Sequence, residues 1–235
     1  MTDAVTATEE TLTTQERLPK AFTFSTLLTG LVKMWRGWAP GLSAIVVSAL
    51  LNTLFVLGDP IPGLGIGFLF LALLSGVVLL AAAAVLTATA LESVEHRARF
   101  NDVIARVTAN LWPFVIWTVG LWLVVLIGYL IFTLPGALLL ALSPFITIAA
   151  MAGAENPLTA NFRAIAARPL RWAANVIVIG IIMIVLWLLS ALNAFFITGA
   201  WSALLASLII GWFCWWWQTV WAVLYRSTPV GADHV

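Results

Sequence analysis

Chemistry in this chain would have to start from its few ionisable side chains, and their positions limit what that chemistry could be. Glu92, Glu95, Asp102 and Glu155 are acids near the ends of apolar runs, and His96 and His234 are the two histidines. Carboxylates can hold a metal ion, so a metal or phosphate reaction could gather among these four acids. The plainer expectation is that these acids are solvated edge residues paired with nearby arginine. His96 lies in a link and His234 at the end of the sequence, so neither is expected to join a histidine–acid constellation at depth. Enzymes and proton-coupled transporters that work inside a membrane keep ionisable groups there, because such groups are costly in lipid and are retained for a task. None of the 11 Lys and Arg or 10 Asp and Glu residues falls inside an apolar run. No glycine-rich phosphate loop, Ser/His/Asp set or paired-carboxylate spacing occurs. The reading is therefore of a protein that is not an enzyme, with no catalytic residue, no metal site and no cofactor.

Uncharged polar residues form the next candidates. Asn52, Asn175 and Gln218 lie within apolar runs, and an amide in hydrocarbon must find a partner. Each is expected to bond a neighbouring helix, at roughly 0.6–2 kcal/mol, or to line a shared polar cavity. Pro144 removes a backbone donor and clashes with the preceding turn, so it should bend its helix or give it a hinge. Ala203, Ser207 and Gly211 recur at four-residue spacing and leave a smooth groove for another helix. They lead into Trp212, Trp215, Trp216, Trp217 and Trp221. Three consecutive tryptophans cover most of a helix circumference, so some must meet lipid. An aromatic belt is the ordinary role, and a groove for a lipid, isoprenoid or partner helix is the sharper one. Cys214 is the only cysteine, which leaves no disulfide framework or zinc spacing to read.

The elements that must position these residues follow from composition. Of 235 residues, 63% are hydrophobic and 9% charged, far from the roughly one-quarter charged share of a soluble domain. The fold class is all-α, a polytopic membrane protein. Apolar runs place six spans at about Trp38–Leu57, Leu64–Leu91, Leu111–Phe132, Leu134–Ala152, Trp172–Ala191 and Trp201–Tyr225, each long enough for a bilayer core of roughly 30 Å. The polar opening, residues 1–20, reads as a disordered cytoplasmic tail, 21–226 as the membrane domain and 227–235 as a C-terminal cytoplasmic tail.

Charge sets the orientation. The links Gly58–Gly63, Thr133 and Leu192–Ala200 hold no Lys or Arg, whereas Arg97, Arg99, Arg106, Arg163, Arg168 and Arg171 lie in the other two. The positive-inside tendency then puts both termini on the cytoplasmic side, in a bacterial inner membrane. A repeat accompanies this pattern. Phe100, Val103, Ile104, Val107 and Leu111 fall on one helical face, and Phe24, Leu27, Leu28, Leu31 and Trp35 repeat those offsets. Leu158, Asn161, Phe162, Ile165 and Pro169 do so less cleanly, and Trp38, Trp112 and Trp172 follow the three sets. The expectation is three hairpins, each preceded by an amphipathic helix on the cytoplasmic interface. With Lys33 and Arg36, the basic residues form an inner rim that should attract anionic headgroups at about 1 kcal/mol each.

At Pro144–Glu155, Ala164–Ala167 and Arg168–Trp172 the chain resembles the membrane domain attached to some glycerophosphodiester phosphodiesterases, and related stand-alone six-span bacterial proteins. The resemblance implies a proline in span four, an acid at the cytoplasmic edge, a short helix and then span five. Nothing matches the phosphodiesterase catalytic domain, a soluble barrel with metal-binding acids and histidines. The functional expectation is a membrane scaffold or accessory subunit that binds lipids, or a membrane or cytoplasmic protein, at its rim, with homo-oligomers open to it and nucleic acid excluded. The alternative is a small permease or exporter subunit energised by a separate protein, with Asn52, Asn175 and Gln218 lining its path.

Overall fold

The computed structural model describes residues 24–58, 65–196 and 199–232. The expected N-terminal tail, the outer link from Asp59 to Leu64, part of the last outer link, and His234 lie outside the described residues. Among the described residues the chain is helical, with no strand, and six helices are long and apolar enough to cross a membrane.

α1 (Phe24–Met34) passes through a single 3-10 turn, Trp35–Gly37, into α2 (Trp38–Gly58). α1 buries Thr26, Lys33 and Met34 while Leu28, Leu31 and Trp35 stay exposed. Thr26, Gly30, Lys33 and Met34 therefore face the bundle with Leu27 against its core, and Leu28, Leu31 and Val32 are left for the surroundings. Gly30 makes this possible, since a Cβ there would sit 2.5 Å from Val220 Cγ2.

α3 (Ile66–Glu95) and α4 (Phe100–Ile131) follow, joined by a short link. The expected boundary helix and third span are one helix with a kink. Pro113 cannot donate to the carbonyl of Ala109, and Asn110 takes up the distortion at φ −117 and ψ 15. α4 and α5 (Thr133–Leu142) are joined through the extended Phe132. A Cβ on Gly128 would lie 3.0 Å from the Gly136 backbone, so this pair closes tightly.

The expected fourth span is two helices, α5 and α6 (Ile146–Met151), with Ser143, Pro144 and Phe145 between them. α7 (Pro157–Ala167) begins with Asn156 Oδ1 accepting from the Thr159 N–H at 3.1 Å and with proline in its first turn. α8 (Pro169–Phe196), α9 (Ala200–Arg226) and the short α10 (Pro229–Ala232) complete the order.

The first two consecutive pairs, α2 with α3 and α4 with α5, pack side by side. The third does not follow them: α9 packs chiefly on α2, α1 and α3 and touches α8 sparingly. Gly211 of the small-residue stripe explains this, because a Cβ there would lie 2.9 Å from Ile45 of α2. Burial is concentrated toward the end of the bundle where α3 and α9 finish. Ala84 to Val94 in α3, all of α6 except Thr147, and Thr219 to Arg226 in α9 are largely buried. Leu and Ile residues toward the opposite end stay bare, as at Ile66, 88% exposed.

Candidate functional site

Two clusters meet where α3 and α9 finish and α4 begins. The first is an ion-pair knot. The link after α3 is short, so α4 starts beside Glu92 and Glu95 and carries Arg106 back to them. Arg106 Nε donates to Glu92 Oε1, and its guanidinium also lies 3.7 Å from Glu95 Oε2. Glu95 Oε1 pairs with Arg226 of α9, whose Nη1 donates to the Gly231 carbonyl at 2.9 Å. His96 Nε2 is 2.9 Å from Glu92 Oε2 and 3.7 Å from Asp102 Oδ2. The side chains of Glu92 and Arg226 are only 6% and 4% exposed.

This corrects one expectation: Glu92 pairs with arginine as expected, but it is a buried acid rather than a solvated one. His96 stays half-exposed in the link, where its ligand atom lies within 4.8 Å of those of Glu92 and Asp102. Both Glu92 oxygens already face cationic or hydrogen-bonding partners, and two arginines complete the knot. A divalent cation would be repelled by those guanidinium groups, so the knot's chemistry is to tie α3, α4 and α9 together. Arg226, just past the last expected span, is part of it.

The second cluster is a basic hollow on the other side of the same link. Arg36, Arg97 and Arg99 line a hollow of about 330 Å³ with Trp38, Pro40 and Phe100. A second hollow of about 380 Å³ shares Arg36, Trp38 and Arg97 and adds Val32 and Trp35. Gly37 brings these residues together. A Cβ there would lie 2.5 Å from Thr89 Cγ2 and 3.4 Å from Ala98 Cβ, so the 3-10 turn sits directly on α3 and the link. The side chains on either side of Gly37 are thereby set beside Arg97. Arg97, Arg99, Trp35 and Trp38 are exposed. The arrangement can hold an anion: guanidinium groups bind phosphate through paired N–H donors, and indoles suit the headgroup level.

The rest of the expected rim is dispersed. Lys33 is 6% exposed and turned into the bundle, and Arg106 is engaged by the two glutamates. Arg163 in α7, Arg168 between α7 and α8, and Arg171 at the start of α8 line neither hollow.

The tryptophans divide by burial. Trp215 and Trp221 are core residues, 0% and 1% exposed, so neither meets lipid. Trp221 stands edge-on to Phe145 with ring centres 5.2 Å apart. Trp216 Nε1 donates to the Leu27 carbonyl at 3.2 Å and fastens α1 to α9, while Trp212 meets Trp35 edge-on at 5.6 Å. Trp217 is half-buried and lines an apolar hollow that includes Pro144 and Trp221.

Among the amides, Asn52 Oδ1 accepts from Ser75 Oγ at 2.6 Å, and its Nδ2 donates to the Ser48 carbonyl, joining α2 to α3. Asn175 Nδ2 donates to the Arg171 carbonyl, while its Oδ1, like Gln218 Oε1, is buried without a partner. None of these amides lines the hollows described here.

Pro144 opens a break that another residue closes. Asn161 of α7, 0% exposed, accepts the Phe145 N–H on Oδ1 at 3.0 Å and donates from Nδ2 to the Leu142 carbonyl at 2.8 Å. Trp172 Nε1 donates to the Ala141 carbonyl at 2.9 Å beside it. The break is thus stitched into the fold. No family model, curated protein or solved structure matches the chain.

Proposed function

We propose that this multi-pass membrane protein is a non-enzymatic scaffold or accessory subunit that binds anionic lipid headgroups at the basic hollow of Arg36, Arg97 and Arg99. The single observation that supports this is the convergence of those arginines with Trp35 and Trp38 at the inner ends of α2, α3 and α4. Positive-inside reasoning puts that end at the cytoplasmic leaflet, where anionic lipids give each basic residue about 1 kcal/mol of attraction. The exposed apolar faces of α1, α4 and α7, carrying Leu28, Ile104 and Phe162, fit helices lying against lipid at that level. A transport path would need its amides to share a cavity, and Asn52 is already tied to Ser75 and Ser48.

The test is lipid enrichment. Nanodiscs formed from equal phosphatidylglycerol and phosphatidylcholine are purified by the protein, and the bound lipid is quantified by mass spectrometry. Phosphatidylglycerol should be enriched around the wild type, and Arg36→Gln, Arg97→Gln and Arg99→Gln together should lower that enrichment by roughly fivefold or more. Equal enrichment in the folded triple variant would overturn the proposal.

A further inference from the structure

An apolar trough runs outward from the basic hollow. α2 and α4 both pack on α3 but touch each other little, which leaves a channel with α3 as its floor. Its volume is about 380 Å³, and Val47, Val78, Ala82 and Ile104 line it. Pro40 and Phe100 line the trough and the basic hollow alike, so the two are continuous. Small side chains keep it open: Ser48 on α2, and Ala81 and Ala82 on α3.

Its reach along α2 is set by Pro40 and Leu51, about 16 Å at 1.5 Å per residue. That is the depth of one leaflet, about half of a roughly 30 Å hydrocarbon core. Positive charge at one end and a dry channel one leaflet deep match an amphiphile with a compact anionic head and a long chain.

We infer that the hollow and trough form one site for a single glycerophospholipid, with its phosphate among Arg36, Arg97 and Arg99 and one acyl chain between α2 and α4. This rests on the headgroup reading above and adds the chain's place and the lipid class. A phosphomonoester head, as in phosphatidate, suits the site best, because it offers the most charge in the least volume to the arginines. Bulky or zwitterionic heads suit it least.

The experiment uses the full chain in nanodiscs with a dioleoyl-like phosphatidate carrying a photoreactive diazirine in mid-chain, and the matching phosphatidylcholine. Illumination should crosslink phosphatidate to peptides covering residues 43–51, 78–85 and 103–108, at least fivefold more than phosphatidylcholine. Ser48→Phe with Ala81→Phe, which fills the trough, should reduce that crosslinking severalfold while leaving phosphatidylglycerol enrichment at the rim intact. Crosslinks spread evenly over α5 and α8, or unchanged labelling in the filled variant, would overturn the inference and leave the rim reading standing. Loss of head preference is diagnosed separately: if the triple arginine variant keeps it, the rim reading fails and this site fails with it.

Discussion

Asn161 carries a structural task that its position in the sequence half disclosed. In the three boundary helices the second anchor is Leu27, Val103 and Asn161. An amide in place of an apolar side chain was the readable signal, but its purpose depends on a break 16 residues away. Pro144 was legible as a disruption, and what was not legible is that one side chain would satisfy the groups on both sides of it. Removing Asn161 leaves a buried N–H and a buried carbonyl without partners, at about 1–3 kcal/mol each. Asn161→Ala should therefore lower the thermal midpoint in detergent markedly, followed by tryptophan fluorescence. Asn161→Asp, which can accept from Phe145 but not donate to Leu142, should fall no higher than partway back. An unchanged midpoint in Asn161→Ala would refute this role. Glu92 makes the same point from the other side. One residue beyond an apolar run it reads as solvated, and only Arg106 and the neighbouring turn of α3 reveal it as buried.

At the scale of elements, glycines decide which helices meet. Six apolar helices were plain from composition and run length, and α2 and α9 agree with the expected spans to within about a residue or two at each end. Their pairing was less plain, because apolar helices in lipid gain little from one partner over another and small residues settle the choice. Gly41 lies under the Trp215 ring, where any Cβ would overlap it, and Gly211 lies against Ile45. The run of tryptophans looked like a belt because its aromatic count is high. Two of its five tryptophans are buried, Trp215 over the glycine surface of α2 and Trp221 against Phe145. Gly41→Ala should displace Trp215 and destabilise the α2–α9 contact by about 1–3 kcal/mol, the usual penalty for overpacking. Adding Trp215→Leu to Gly41→Ala should recover part of the loss, read by thermal unfolding in detergent. No recovery, or no loss at all in Gly41→Ala, would count against glycine-directed packing of α9.

At the scale of the whole molecule, two gradients run along the helices. Packing is dense toward the end where α3 and α9 finish and α6 lies, and sparse toward the opposite end. Basic charge follows the same direction, with arginine at the inner ends and none in the outer links. The charge gradient was readable from sequence alone, since it needs only the order of residues. The packing gradient was not, because a uniformly apolar run does not distinguish a residue against another helix from one against lipid. The ion-pair knot, the basic hollow and the trough all sit where the two gradients coincide. The account therefore depends on that end facing the cytoplasmic leaflet across six crossings. The direct measurement is labelling by a membrane-impermeant maleimide in intact cells, in a Cys214→Ala background with one added cysteine at a time. Arg99→Cys and Arg168→Cys should label only after the membrane is opened, and Gly65→Cys should label from outside without opening. Labelling of Arg99→Cys or Arg168→Cys in sealed cells would contradict it.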